Sequence, residues 1–325
     1  MCRVWKTLVR NSKPGKCGDF LQNNNLIENA LKSSWEHARG FLEVGRVSDY
    51  IPHLAAANPA HLGCVVMDAD GTSHQIGDWN EFFTIQSISK VLSLMYALET
   101  LGYDEVFAKV GMEPSGDPFN CFIKLETVGE RPFNPFINAG AITVIALLAE
   151  NVPFQAVLDY SCKIFGGSVA IDEEVFLQEM RAGKRNRSMA YLMASKGALG
   201  DDVEAYLNFY FSLCALSVNT AHLAHMGAVL ASGGKNPRSG EEIVPGPIVR
   251  IAKAIMLTCG MYDGSGEFAV TVGLPAKSGI GGGIVACGGG LGIGTFGPAL
   301  DAKGNSVGGL AILRQLSEKL GIHLF

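Results

Sequence analysis

The stretch FTIQSISK, residues 83–90, joins a predicted β-hairpin to a predicted apolar helix. The hairpin consists of an apolar segment, Leu62–Met67, an Asp-Gly turn and a second segment, Thr72–Ile76. The helix covers Ser87–Thr100 and ends before Gly102, because glycine commonly follows the last residue of a helix. The polar residues of the stretch are therefore expected at the start of a helix that follows two strands.

Ser87 and Lys90 are three positions apart, so a helix places them on one face. The free amide groups of a helix start favour negative charge developing on the serine oxygen. The neighbours of Lys90 include Val91, Leu92 and Leu94, and burial among them would lower the pKa of the amine. A neutral amine can accept the serine proton. The pair is a candidate nucleophile and base, although S-x-x-K also arises by chance as a helix cap followed by a surface lysine.

A second motif, KSG at residues 277–279, lies in the glycine-rich region 269–309, where short apolar runs predict strands and tight turns. K-[ST]-G accompanies S-x-x-K in a class of serine acyl-transfer enzymes. The glycine after the serine leaves room for a ligand at the strand edge. The letters SVN at residues 217–219 fit a third motif of that scheme, but the motif is too short to separate from chance. The first two motifs together favour a serine acyl-transfer enzyme.

The order of the predicted elements divides the chain into three parts. Residues 1–25 carry five lysines and arginines against one acid, and we expect a flexible basic arm. Residues 26–104 and 256–325 are expected to form an antiparallel sheet flanked by helices and built from both chain ends. Residues 105–255 are expected to form a mainly helical domain. The predicted fold class is therefore α/β of the α+β type.

Composition excludes several classes of protein. The chain has 325 residues, of which 48% are hydrophobic and 18% charged, so it can bury a core. A net charge of −5 without a basic stripe argues against nucleic-acid binding. The most apolar run, Ala141–Ala149, is shorter than the roughly 18 residues of a membrane-spanning helix. Eight scattered cysteines and the expected absence of a secretory signal favour reduced thiols and a cytoplasmic location.

Two further patterns are weaker. His222 and His225 form H-x-x-H, whereas a zinc-binding helix uses H-E-x-x-H, so we interpret them as helix-surface histidines. The letters G-x-G-x-x-G at residues 292–297 lack a strand-to-helix context, which disfavours dinucleotide binding. We expect neither a metal ion nor an organic cofactor.

The surroundings of the two main motifs resemble the serine-dependent glutaminase family, which includes bacterial enzymes and the core of the animal ones. The similar stretches follow the family's order from about residue 26 to the chain end. They are VSDYIP at 47–52, FTIQSISK at 83–90, FNPFINAG at 133–140, GMYD at 260–263, PAKSGIGGG at 275–283 and GNS at 304–306. The resemblance implies a β-lactamase/DD-peptidase-like fold and hydrolysis of L-glutamine to L-glutamate and ammonia through a glutamyl-serine acyl-enzyme. It also implies a homo-oligomer, a dimer or a tetramer.

The resemblance assigns roles to individual residues. It implies that Ser87 is the nucleophile, Lys90 its base and Tyr262 a second proton-handling group. The backbone N–H groups of Ser87 and Ile280 would form the oxyanion hole. The implied substrate-binding residues are Ser87, Asn138, Glu179, Asn186, Tyr210, Tyr262 and Ile280. Further residues expected near the site are Tyr50 at its mouth and Lys277 and Ser278 on the late strand.

Two alternative functions would use the same residues. A penicillin-recognising serine acyltransferase or β-lactamase would share Ser87, Lys90 and Lys277, but such enzymes act outside the cytoplasm. A non-catalytic protein of the same fold would keep the amino-acid pocket and bind glutamine without turnover.

Overall fold

The structure is a computed structural model, and it describes residues 24–115 and 131–325. The α-helices are α1 Asn24–Ala38, α2 Pro52–Ala55, α3 Ser89–Leu101, α4 Tyr103–Lys109, α5 Asn138–Asn151, α6 Phe154–Phe165, α7 Glu173–Ala182, α8 Lys184–Ser195, α9 Val203–Cys214, α10 Thr220–Ala231, α11 Gly246–Cys259, α12 Ser265–Thr271 and α13 Val307–Leu320. The strands are β1 Gly63–Met67, β2 Ser73–Gly77, β3 Phe83–Thr84, β4 Ala170–Ile171, β5 Leu216–Val218, β6 Ala276–Ser278, β7 Gly283–Gly288 and β8 Leu291–Phe296. Short 3₁₀ turns cover Arg39–Val44, Gln86–Ile88 and Tyr262–Gly264.

The larger sheet has five strands in the order β2-β1-β8-β7-β6, and all neighbouring pairs are antiparallel. Strands β1 and β2 form the predicted hairpin, in which Val65 pairs with Gln75. The other three strands come from the glycine-rich region near the C-terminus. Pairing of β1 with β8 joins both ends of the chain in one sheet, which confirms the predicted antiparallel architecture.

A smaller sheet, in the order β3-β5-β4, fixes the segment that leads to Ser87. Phe83 and Thr84 pair with β5, and the Ile85 N–H donates to the carbonyl oxygen of Leu216 at 2.8 Å. The SVN letters fall on β5 and on the cap of α10, where the Asn219 side chain accepts a hydrogen bond from the helix backbone. These residues therefore have a structural role at the entrance to the FTIQSISK stretch.

Helix α10 packs directly on β8 because glycines remove the side chains between them. A Cβ atom added to Gly292 or Gly294 would collide with the backbone of α10. The G-x-G-x-x-G letters thus mark a close contact between a helix and an antiparallel strand. They do not open a helix, as a dinucleotide-binding loop would.

The hydrophobic core lies on both faces of the larger sheet. Strand β7 is buried throughout, and its successive residues point to opposite faces. Val285 and Cys287 join the largest cluster, with the helices of the middle region, whereas Ile284 and Ala286 join a second cluster beneath α1 and α13. The predicted boundaries between a sheet domain and a helical domain stay a prediction.

The N-terminal helix begins slightly earlier than expected. The sequence predicts a helix over Leu26–Leu42, and the structure has α1 from Asn24 followed by the 3₁₀ turn Arg39–Val44. The predicted basic arm, residues 1–25, lies outside the described residues except for its last two, which begin α1.

Within the described ranges, no single helix has the length and apolarity to cross a membrane. Helices α5 and α6 pass that test only together, and they are bent by 116°.

The interpretation of the H-x-x-H pair as surface histidines is wrong for His225. Helix α10 lies between the larger sheet and α6, so this side chain is only 4% exposed, and its Nδ1 lies 2.9 Å from the carbonyl oxygen of Ile164. The His222 Nδ1 accepts a hydrogen bond from the Asn219 N–H at the start of α10. In residues 24–115 and 131–325, no group of three or more His, Cys, Asp or Glu could hold a metal ion.

Candidate active site

A pocket of about 710 Å³ opens where the start of α3 meets helices α7, α8 and α9. Most of the site residues selected from the sequence line this pocket: Tyr50, Ser87, Asn138, Glu179, Asn186, Tyr210 and Ile280. The remaining four, Lys90, Tyr262, Lys277 and Ser278, are buried and contact that lining or each other. The structure therefore brings together every residue that the sequence analysis selected.

Ser87 lies in the 3₁₀ turn Gln86–Ile88, where the chain enters α3. The preceding residue, Gln86, has a φ of 52°, in the left-handed region that residues with a Cβ rarely adopt. Its side chain is buried, and Nε2 donates to the Thr84 hydroxyl at 3.2 Å. The chain thus turns sharply before the serine and presents it to the pocket.

The turn between β6 and β7 brings Ile280 next to this serine. A Cβ added to Gly279 would lie 2.6 Å from the carbonyl oxygen of Ile85, and one added to Gly281 would lie 2.7 Å from that of Thr84. Only glycine therefore permits such a close approach at these two positions. The glycines of the KSG motif and its continuation position the Ile280 backbone beside the serine turn.

Lys90 is only 1% exposed, among apolar residues of the core. Its Nζ donates to the carbonyl oxygen of Phe136 at 3.1 Å and to Asn138 Oδ1 at 2.7 Å. Burial lowers the pKa of this amine to about 8. A neutral amine has two hydrogens, which these acceptors can take, and one lone pair that can accept a proton.

The FNPFINAG stretch folds so that both acceptors face Lys90. Asn134 Oδ1 accepts hydrogen bonds from the backbone N–H groups of Phe136 and Ile137 at 3.0 and 3.1 Å. This turn leads into α5, which begins at Asn138. The Asn138 Nδ2 donates in turn to Asn186 Oδ1 on α8 at 3.0 Å. One side chain therefore connects the buried amine to the far wall of the pocket.

Glu179, near the end of α7, is a buried carboxyl group that faces the pocket. It is 2% exposed, and its Oε1 has no hydrogen-bond partner in the part of the chain that the structure describes. Burial raises the pKa of this carboxyl to about 7, although hydrogen bonds from Gln86 and Tyr50 oppose the rise. A carboxylate in this position can receive a cationic group of a ligand.

Tyr262 lies behind Ser87. Burial raises the pKa of its phenol, while interactions with the side chains of Ser87 and Ser278 and with the Ile280 backbone oppose that rise. The phenol therefore lies among the serine, the KSG strand and the residue expected in the oxyanion hole.

Lys277 is a second fully buried amine. Its Nζ lies 4.4 Å from the centroid of the Tyr262 ring and donates to the carbonyl oxygen of Ser278 at 2.6 Å. Burial lowers the pKa of Lys277 well below its usual range, and repulsion from Lys90 adds to the effect. The proximity of Lys90 therefore disfavours a charge on Lys277.

Several pocket residues were missed from the sequence. Gln86 lies inside the FTIQSISK motif, and Cys214, whose Sγ is 4.0 Å from Ser89 Oγ, follows Tyr210 by one helical turn on α9. Their closeness to selected residues is the signal that could have found them. Charged residues also line the pocket, namely Arg46, Asp49, Arg185, Asp301 and Lys303.

Comparison with protein families matches residues 45–325 to the family described as glutaminase. Glutaminase 2 of Clostridium perfringens is 44% identical over 305 residues, which cover 92% of this chain and all of that protein. A glutaminase of Clostridium tetani is 43% identical over 306 residues, which cover 92% of this chain and all of that protein.

Solved structures agree with these relatives. A probable glutaminase, ybaS, superposes with a TM-score of 0.89 at 35% identity, covering 93% of this chain and 99% of that one. Bacillus subtilis glutaminase YbgJ, in a covalent complex with 5-oxo-L-norleucine, superposes with a TM-score of 0.84 at 37% identity. The match covers 92% of this chain and 99% of that one. These relatives confirm the predicted β-lactamase-like fold. The chain belongs to the glutaminase family.

Proposed function

We propose that the protein hydrolyses the side-chain amide of L-glutamine to L-glutamate and ammonia. The observation that carries this proposal is the composition of one pocket. It contains Ser87 and Asn138, whose Oδ1 accepts a hydrogen bond from the buried amine of Lys90, three positions after Ser87. It also contains the buried carboxyl of Glu179, whose Oε1 has no partner among the described residues. The glutaminase names of the relatives, and the covalent adduct formed by the Bacillus subtilis enzyme, support the same reaction.

The pocket offers a partner for each charged group of glutamine. Glu179 binds the α-ammonium group, which completes the hydrogen bonding of its carboxylate. Asn138, Asn186 and Tyr210 are polar groups that bind the α-carboxylate. The side-chain amide then reaches Ser87, with Tyr50 covering the pocket mouth. No metal ion or organic cofactor is needed for this arrangement.

In the acylation step, the neutral amine of Lys90 accepts the Ser87 proton as the serine oxygen attacks the amide carbon. The carbonyl oxygen becomes an oxyanion, held by the N–H groups of Ser87 and Ile280; each such donor contributes about 2.7–4 kcal/mol. The C–N bond breaks, the nitrogen takes a proton through Tyr262 or Lys90, and ammonia leaves. The product is a glutamyl ester of Ser87.

In the second step, a water molecule takes the position that the departing ammonia has left. The same proton-accepting groups remove a proton from water, which attacks the ester carbon. The serine oxygen leaves with a proton, and glutamate is released. Lys277 supports the cycle because its amine packs on the Tyr262 ring and helps to hold the phenol in place.

We also propose a cytoplasmic location and a homo-oligomer, a dimer or a tetramer. The described cysteines Cys64, Cys162, Cys214, Cys259 and Cys287 are all unpaired, as is usual in a reducing compartment. Mass photometry of the purified chain would identify the oligomer, since a purely monomeric species would contradict this part of the proposal.

Incubation with L-glutamine is expected to release ammonia and glutamate in equal amounts, whereas a chromogenic β-lactam is expected to stay intact. The electrophilic analogue 6-diazo-5-oxo-L-norleucine is expected to modify one residue, Ser87, because this hydroxyl lines the pocket and lies one helical turn before the buried amine of Lys90. Ammonia is measured by a coupled assay, and the modified peptide is identified by mass spectrometry.

Excess glutamine during labelling provides the control, since it should protect Ser87. Hydrolysis of the β-lactam without ammonia release would favour the penicillin-recognising alternative. Binding of glutamine without any turnover would favour the non-catalytic alternative. Label on another residue would contradict the assignment of the nucleophile.

The pH dependence of substrate binding tests Glu179. Its carboxyl, with a pKa of about 7, loses its charge as the pH falls through that value. The α-ammonium then loses its partner, so KM for glutamine is expected to rise about tenfold per pH unit below 7. Glu179→Gln is expected to raise KM about 100-fold at pH 8, because charged hydrogen-bonded pairs contribute about 2–5 kcal/mol.

In Glu179→Gln, KM is expected to be constant between pH 5.5 and 8, because the amide does not titrate. Glu174→Gln, an exposed change one turn earlier on α7, is the matched control, and its KM should follow that of the unmodified protein. A KM that keeps the same pH dependence in Glu179→Gln would assign the titration to another group.

A further inference from the structure

Among the described residues other than glycine, only Gln86 and Tyr262 have a left-handed backbone, with φ values of 52° and 55°. Both border the active site: Gln86 precedes Ser87, and the Tyr262 phenol interacts with the Ser87 side chain. Residues with a Cβ adopt this conformation only where the surrounding structure holds it. Nearby contacts must therefore hold the left-handed backbone of these two residues.

The same local arrangement occurs at both positions. Each left-handed residue begins a 3₁₀ turn that continues into an α-helix, and in each case the first residue of that helix is a serine. Ser89 Oγ donates to the carbonyl oxygen of Gln86 at 2.7 Å. Ser265 Oγ donates to the carbonyl oxygen of Tyr262 at 2.8 Å. The two hydroxyls thus bond back to the strained residue three positions earlier.

Burial makes these hydrogen bonds effective. Ser89 and Ser265 are 2% and 4% exposed, so water does not compete well for either carbonyl. Ser265 Oγ also accepts the N–H of Met261 at 3.0 Å, so one hydroxyl bonds the backbone on both sides of Tyr262. Neither serine lines the pocket, so each acts on the site through its neighbour.

We propose that Ser89 and Ser265 are positioning residues for the reaction. Ser89 holds the left-handed backbone of Gln86 and thereby orients the Ser87 hydroxyl; Ser265 does the same for the Tyr262 phenol. The inference rests on the proposed roles of Ser87 and Tyr262. Without the hydroxyl, the strained residue relaxes toward negative φ, and the reactive group next to it moves away from the reacting carbon.

The test uses glycine to remove the strain. Glycine adopts a positive φ without penalty, so the Ser89 hydroxyl becomes dispensable in Gln86→Gly. Gln86→Ala removes the same side chain but keeps the Cβ, and it is the matched control. Ser89→Ala is expected to lower kcat about 10- to 100-fold alone and in Gln86→Ala, since misplacement of a reactive group by about 1 Å has effects of this size. In Gln86→Gly, the loss is expected to be less than about threefold.

An equal loss of kcat in the glycine and alanine backgrounds would overturn the proposal, and so would a Ser89→Ala variant with unchanged kcat. Ser89→Thr, which keeps the hydroxyl, should retain most of the activity. The same set is compared in the free energy of unfolding, which does not depend on turnover, and Gln86→Gly should again cancel the effect of Ser89→Ala. If the unmodified protein released no ammonia from glutamine, the proposed function would be contradicted. The comparison of unfolding free energies would still test whether the Ser89 hydroxyl holds the backbone of Gln86.

Ser265 is tested through its own partner. Ser265→Ala is expected to lower kcat about 10-fold with KM for glutamine unchanged, because the ligand is held by other residues. In a Tyr262→Phe background, the same change should have no further effect on kcat. Independent, multiplied losses in the double variant would show that Ser265 does not act through the phenol.

Discussion

Ser87→Ala is expected to lower kcat for glutamine by at least about 10⁴-fold, a loss typical of removing a serine nucleophile. Without the hydroxyl, the glutamyl ester cannot form, and the amine of Lys90 has no nucleophile to activate. The affinity for glutamate should change only a few-fold, since the charged groups of the ligand bind elsewhere in the pocket. Ammonia release measures the first effect and isothermal titration calorimetry the second.

Ser93→Ala is the matched control for this change. Ser93 is also a buried serine of α3, and its Oγ donates to the carbonyl oxygen of Lys90 at 3.1 Å, but it does not line the pocket. Its kcat should stay within about threefold of the unmodified value. Ammonia release that persists in Ser87→Ala would mean that another group attacks the amide.

Local patterns predicted much of the fold correctly. The β1–β2 hairpin appears in the expected place because an apolar segment followed by an Asp-Gly turn determines it locally. The sequence pattern also predicts a helix over Thr220–Ala231, and α10 has those bounds in the structure. The bounds of α3 were less accurate, because the chain forms a 3₁₀ turn at Ser87 before the α-helix begins at Ser89.

The site was predictable only in part from its residues. Ser87 and Lys90 are only three positions apart in sequence, so their spacing predicts a pair on one helix face. Glu179 alone has the pattern of an exposed helix acid, and its burial results from contacts with the distant residues Tyr50 and Gln86. Its selection therefore required the family resemblance. The left-handed backbone of Gln86 had no sequence signal, because positive φ is expected at glycine rather than glutamine.

Lys90→Met is expected to lower kcat by about 10³-fold or more, since general-base catalysis contributes up to about 10⁴-fold and the acceptors Phe136 and Asn138 also lose their donor. Methionine has a similar length and suits an apolar position, so thermal unfolding should show a folded protein. Lys90→Arg separates two roles of the amine. The guanidinium keeps the positive charge but cannot release a proton. If Lys90 is the base, the Lys90→Arg variant should therefore be as inactive as Lys90→Met.

The pH profile gives the most direct evidence for a base. The pKa of Lys90 is lowered to about 8, and in the proposed mechanism the neutral form of the amine accepts the proton. In the unmodified protein, kcat should therefore rise about tenfold per pH unit up to roughly pH 8 and then level off. In Lys90→Ala, added methylamine should restore part of the activity, and the restored rate should follow the fraction of methylamine that is neutral. A kcat that does not change with pH in the unmodified protein, together with activity in Lys90→Arg, would show that Lys90 contributes only its positive charge. A lysine that stays protonated throughout would produce neither the rise of kcat with pH nor the inactivity of Lys90→Arg.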